Sequence, residues 1–267
     1  MSPRRALWPI YLSVAISYMG VGLVVPLISI VLAEHGSNTF VVGLVGTTMF
    51  AALTVAALPV GLATDRFGPR IILVSGLIVY GGAIFLFAFT RDIWQFFLIR
   101  VVEGTGGAAI SVATETMISH ASGEGDRSRR MSYYALSVGL GWALGPIAGT
   151  WLFQVHPAAP FVACFGFSLI AAILVATFGP RVSSHDHARK GLVKALNFRI
   201  VVPISSGALY GFMMASLVTL LPLYLASRNI TNVLMGTIIT SVIIGTIASQ
   251  IPIGWAADLF GPRKVLI

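Results

Sequence analysis

GLATDRFGPRIILV, residues 61–74, returns as GWAADLFGPRKVLI at residues 254–267, with eight of the fourteen positions identical. The offset of 193 residues persists upstream, where Pro59 meets Pro252 and Gly43 meets Gly236, while Pro26-Leu27 meets Pro222-Leu223 at an offset three residues larger. A match spread over this much sequence marks the duplication of a whole structural unit.

The sequence around both copies is apolar. Eight hydrophobic runs lie near residues 7–33, 40–63, 71–90, 93–119, 133–154, 160–178, 200–226 and 232–257, and a ninth starts at Val265. Crossing ~30 Å of hydrocarbon takes about 20 helical residues. Lipid offers no partner to backbone amides, so such runs must be helices or closed barrels, and these are too long and too uniform for barrel strands. The expected fold is an all-α membrane protein.

Composition agrees, with 57% hydrophobic and only 10% charged residues and a mean hydropathy of +0.91. A net charge of +8 raises the question of nucleic acid, but no basic stripe with interleaved aromatics is present, which excludes that partner. The cations sit between the apolar runs. With the N-terminus in the cytoplasm, Arg4, Arg5, Arg66, Arg70, Arg127, Arg129, Arg130, Arg181, Arg189, Lys190, Lys194, Arg199, Arg263 and Lys264 fall inside, and only Arg91 and Arg228 outside. That bias sets a cytoplasmic N-terminus in a plasma (inner) membrane protein. Cys164 is the single cysteine, which excludes an intrachain disulfide or a Cys-based metal site. The first run is too long for a signal-peptide core.

The expected organisation is a six-helix bundle over residues 1–178, a polar cytoplasmic linker over 179–199, and the first two to three helices of a repeat-related bundle over 200–267. A second copy of equal length would end near residue ~386. The sequence therefore reads as one that stops inside its ninth helix.

Within the repeated loop, Gly61 suits close helix approach, Gly68 a turn with positive φ, and Asp65 charge-assisted bonds from Arg66, Arg70 or a helix N-terminus. Arg66 and Arg70 also serve as topology signals. This loop resembles the signature loop between helices two and three of the major facilitator superfamily, and Asp258, Gly261 and Arg263 resemble its second-half copy, with Leu259 where Arg66 stands. The resemblance implies a gating contact at the cytoplasmic face, made when the cavity faces outward and broken as the two bundles rock.

Arg100 and Glu103 lie in the fourth run, about 9 and 14 Å deep when counted at ~1.5 Å per residue from Trp94. At that depth both must face the protein interior or a wet cavity, and their i, i+3 spacing lets them pair. They are either a neutralised structural pair or a proton-linked site. With Gly104 and the small residues that follow, this segment resembles the family's fourth-helix motif, Glu103 replacing the usual Gln. GTGGAA at 104–109 also fits a dinucleotide fingerprint, but without the strand that motif requires. Glu115 could reach Arg66 or Arg70, or simply sit at the interface.

In the fifth run Gly141, Gly145 and Gly149 form one stripe for close packing beside the helix-distorting Pro146. This stretch resembles the antiporter motif of the superfamily, with Thr150 in place of its last Gly, and Gly20-Val-Gly22…Pro26 resembles the opening helix of its twelve-helix drug/proton antiporters. The resemblance implies alternating-access export of a small organic molecule coupled to protons, from a cavity lined by Tyr18, Arg100, Glu103, Tyr210, Met213 and Met214. Uptake by a symporter or uniporter is the alternative within the class; a non-transporting binding or sensor protein, or an inactive fragment, lies outside it.

The partners expected are a small-molecule substrate, protons and the lipid bilayer, with a monomer when the bundle is complete. No cofactor or metal is expected, and no catalytic constellation marks an enzyme. His185-Asp-His187 could hold a metal weakly but reads better as a solvated loop. Asn229-Ile-Thr231 matches a glycosylation sequon on the outer side, without consequence if the source is bacterial.

Overall fold

The computed structural model describes residues 7–34, 36–122, 127–180, 212–213, 216 and 219–260, with 127–128, 232 and 250–260 described for the backbone alone. Linker residues 181–199, Tyr210, Met214, Gly261, Arg263 and the ninth run lie outside the described residues. The helices are α1 (Trp8–Glu34), α2 (Thr39–Phe67), α3 (Pro69–Leu86, continued by a 3-10 turn Phe87–Phe89), α4 (Ile93–Ala121), α5 (Arg127–Val155) and α6 (Ala159–Phe178). A helical segment at 219–227 (α7) and α8 (Asn232–Phe260) follow. Apart from α7, each begins and ends within about six residues of an apolar run, and no strand occurs among the described residues. Six of them, α1 to α6, are long and apolar enough to cross a membrane.

The connections are short because polar side chains and glycine close the helix ends. Asn38 caps α2 by accepting the Val41 N–H at 2.9 Å. Gly68, at φ 88°, makes the whole turn between α2 and α3, and Pro69 starts α3 where its missing N–H costs nothing. Gln95 reaches back from the first turn of α4 to accept the N–H groups of Arg91 and Asp92 at 2.9 and 3.2 Å.

The helices pack one on the next in the order α2, α4, α3, α6, α1, α5, with α8 leaning on α5. Exchanging the first three helices for the second three maps α1–α5 onto α4–α2 and α1–α6 onto α4–α3, so the six-helix unit is itself a pair of three-helix repeats of opposite direction. Nothing in the sequence shows this inner symmetry. One end of the bundle collects the start of α1, the α2–α3 turn, the α4–α5 connection and the end of α6. There Trp8 packs on Phe178 with ring centroids 6.0 Å apart, and Arg130 donates to the Ala121 carbonyl at 2.9 Å.

The buried core holds Ile10, Leu23, Ile28, Leu73, Leu77, Phe96, Met117 and Ile118 among others. Phe40, Val55, Leu58 and Leu62 of α2 are exposed, as expected of a chain whose outer surface meets lipid or a neighbouring helix. The close approach expected at Gly61 is not made by the described residues, none of which lies within 4 Å of a Cβ added there.

Candidate functional site: a sealed ion pair and an open carboxylate

Close helix approach is concentrated elsewhere. A Cβ on Gly141 would come within 2.5 Å of the Ala15 carbonyl oxygen and 2.9 Å of the Tyr18 Cβ; one on Gly145 would run into the Gly22 backbone; one on Gly149 would run into the Leu23 carbonyl. The glycine stripe of α5 therefore lies flat on α1. Pro146 cannot donate to the carbonyl of Trp142, and that carbonyl sits beside Gly22, 3.1 Å from where a Cβ would stand. Thr150, in the place of a fourth glycine, turns to α8 instead. Its hydroxyl donates to the Pro146 carbonyl at 2.8 Å, and the facing position on α8 is Gly236, whose added Cβ would collide with that hydroxyl.

Helix α4 is held on both sides in the same way. Gly104 lies against the Met49 carbonyl and Ala52 of α2, and Gly106 against the backbone of Tyr80 on α3. Between these contacts Arg100 and Glu103 meet, Nη1 to Oε2 at 2.8 Å. The Tyr80 hydroxyl donates to the other carboxylate oxygen at 3.4 Å, and the guanidinium stands over the Phe87 ring at 5.6 Å. Arg100 is 3% exposed and Glu103 0%. Cys164 of α6 lies close enough to feel the carboxylate charge. The pair is thus enclosed within the six-helix bundle, not laid open to a cavity between bundles. Among the described residues the Arg100 Nε finds no hydrogen-bond partner.

A second polar group faces the other way. Glu115, just over three turns along α4 from Glu103, is exposed, and Tyr18 of α1 and Tyr134 of α5 are half-buried. The two phenol hydroxyls interact with each other, and the Glu115 charge reaches both. Neither Arg66 nor Arg70 pairs with Glu115, and neither pairs with Asp65: among the described residues both carboxylates stand without an ion pair. Arg66 lies over its neighbour Phe67 at 5.2 Å. Arg70 donates through Nε to the Val175 carbonyl at 3.2 Å and through Nη2 to the Ala176 carbonyl, capping the last turn of α6. The loop arginine expected in a latch between bundles thus ties α3 to α6 within one bundle.

Of the cavity residues expected from sequence, Tyr18 reaches the open site, Met213 is exposed at 62%, and Arg100 and Glu103 form the sealed pair. Tyr134 was not anticipated. Its only sequence signal is a position seven residues before Gly141, on the face of α5 that meets α1.

Residues 10–267 match the Major Facilitator Superfamily, nearly the whole chain. The chain belongs to this superfamily. It is 28% identical over 265 residues to the uncharacterized MFS-type transporter YfkF of Bacillus subtilis, covering 96% of this chain and 67% of that protein. It is 31% identical over 160 residues to Multidrug resistance protein 1 of the same organism, covering 60% of this chain and 41% of the relative. Among solved structures, a bacterial homologue of the human lysosomal transporter Spinster, in an inward-facing and unoccupied conformation, superimposes with a TM-score of 0.77 at 14% identity, over 98% of this chain and 64% of that one. The superfamily chain spans about two thirds or less of the length of these proteins. Family and fold together make it an integral, multi-pass membrane protein of a transporter class.

Proposed function

We propose that the polypeptide is a secondary transporter that exports a small organic molecule in exchange for protons, by rocking of two bundles about a site between them. The observation that carries this is the α5–α8 contact. α8 belongs to the second copy of the repeat, yet it packs on α5 of the first through Gly236 against Thr150 and Pro146, and through Ile247 against Gly139. Small residues at this seam let two repeat-related bundles change their tilt without unpacking large side chains. The Gly141, Gly145 and Gly149 stripe on α5 and the relative named Multidrug resistance protein 1 favour export over uptake. The basic loops favour a cytoplasmic side for the N-terminus and the Gly61–Arg70 turn, in a plasma membrane protein. Asp65, Asp258, Gly261 and Arg263 are the gate partners in this scheme. Among the described residues Asp65 stands without an ion pair.

Everted membrane vesicles from an efflux-deficient strain holding the polypeptide test the proposal. Accumulation of a panel of lipophilic compounds should exceed that of control vesicles only when a pH gradient is imposed, and Glu103→Gln tests whether the sealed pair carries the proton. Gradient-independent accumulation across the panel would count against export coupled to protons.

A further inference from the structure

At the end of the bundle opposite the α2–α3 turn, the two copies of the repeat meet through apolar side chains. Leu225 of α7 and Met235 and Ile239 of α8 are buried together with Leu27 and Ile30 of α1 and Phe153 of α5. One turn of α7 away from this plug, Leu223 packs on the core of the first bundle. None of these side chains carries charge, so separating the copies here means exposing apolar surface.

The plug is flanked by two contacts of different build. The repeat offset of 193 residues pairs Ile239 with Gly46: the second copy carries bulk at this position, the first a notch. A Cβ on Gly46 would lie 2.7 Å from Oγ1, 2.8 Å from Cγ2 and 3.4 Å from Cβ of Thr219. Thr219 of α7, 8% exposed, is thus a knob seated in a notch of α2, and its β-branch leaves it few ways to swing clear. The other contact is the α5–α8 seam, which runs from Thr150 on Gly236 to Gly139 on Ile247, about 16 Å along α5 at ~1.5 Å per residue. α2 and α5 stand at the two ends of the helix packing order, so notch and seam hold the second copy from opposite sides. A contact spread along a helix survives a change of tilt about its own line. A single knob set away from that line is pulled out of its notch.

We propose that Thr219 seated at Gly46 is a latch that keeps the apolar plug closed, with the α5–α8 seam as the axis about which this end opens. In the orientation proposed above it is the outer end. Release of the latch during transport rests on the export function proposed above; closure of the plug by the latch does not.

Two measurements on the purified polypeptide in lipid nanodiscs, in a Cys164→Ser background and without substrate or gradient, test this. Gly46→Cys with Thr219→Cys should form a disulfide under mild oxidation, because the 3.4 Å between the two Cβ positions is close to the ~3.8 Å of natural disulfides. Gly43→Cys with Thr219→Cys should not, since no described atom lies within 4 Å of a Cβ at position 43. Leu27→Cys, at a position with 0% exposure, should resist a water-soluble maleimide. Gly46→Leu, which fills the notch, should speed that labelling by about tenfold or more, and adding Thr219→Ala should restore much of the protection. No cross-link at 46 and 219, equal cross-linking of the two pairs, or labelling equally fast with and without Gly46→Leu would overturn the proposal. Thr219→Leu, which enlarges the knob, carries the comparison if Gly46→Leu does not fold. In vesicles the disulfide should abolish gradient-driven accumulation and dithiothreitol should restore it; accumulation that persists in the cross-linked protein would show a contact that never opens. A latch that behaves as expected in a polypeptide without gradient-driven accumulation would sink the export proposal alone, and failed cross-linking leaves that proposal standing.

Discussion

Removing one partner of the Arg100–Glu103 pair should destabilise the bundle far more than removing both. At 2.8 Å the attraction between unit charges is about 6 kcal/mol for an effective dielectric constant near 20, most of it offset by the cost of taking both ions out of water. Arg100→Met leaves a carboxylate with 0% exposure and a single donor, the Tyr80 hydroxyl, at 3.4 Å. That uncompensated charge should cost about 3 to 5 kcal/mol. Glu103→Gln should cost less, about 1.5 to 3 kcal/mol, because the amide oxygen still accepts from Arg100 and Phe87 still faces the guanidinium. The double variant removes both charges and should fall short of the sum by ~2 kcal/mol.

Cys164 supplies the assay. It is the single cysteine, is 0% exposed, and lies beside Glu103, so a thiol-reactive fluorogenic dye reports opening of this part of the bundle during a thermal ramp. At ~2 to 4 °C per kcal/mol for a chain of this size, Arg100→Met should lower the midpoint by roughly 6 °C or more. Single variants that add to the double within ~0.5 kcal/mol, or an Arg100→Met midpoint equal to wild type, would show that the two charges do not depend on each other.

Two further outcomes follow from the glycine contacts. Gly145→Ala should cost about 1 to 3 kcal/mol by forcing α1 and α5 apart, whereas Gly166→Ala, with nothing within 4 Å of its added methyl, should be neutral or gain up to ~1 kcal/mol from helix propensity; the same thermal ramp measures both. Gly236→Ala drives a methyl into the Thr150 hydroxyl, so it should lower the midpoint and be partly rescued by Thr150→Gly, partly because the Pro146 carbonyl at 2.7 Å remains in the way.

The spans were legible because hydrocarbon imposes a length and a composition on any chain that crosses it, and the runs near 7–33 and 93–119 became α1 and α4 with ends shifted by a residue or two. The Arg100–Glu103 pair was legible too, since i, i+3 spacing on a helix and the cost of lone charge in lipid leave few alternatives. Its enclosure was not. Which face of α4 meets α3 and which faces inward depends on the rotation of the helix against its neighbours, and that is set by Gly104 and Gly106 acting together with Met49 and Tyr80 from other helices.

The same limit explains the loop. Gly61, Asp65 and Arg70 announce a repeated, charged turn, yet their partners lie ~105 residues away in sequence for Arg70, or nowhere within the described bundle for Gly61. The sequence by itself determined that this chain threads a membrane as helices, that the loop at 61–74 recurs at 254–267, and where charge had to be compensated, because each of those is written in local composition and spacing. Only the tertiary structure decided that α5's stripe rests on α1, that Arg70 serves α6, and that Tyr134 meets Tyr18, because those depend on which surfaces pack together, and packing joins residues that no local pattern connects.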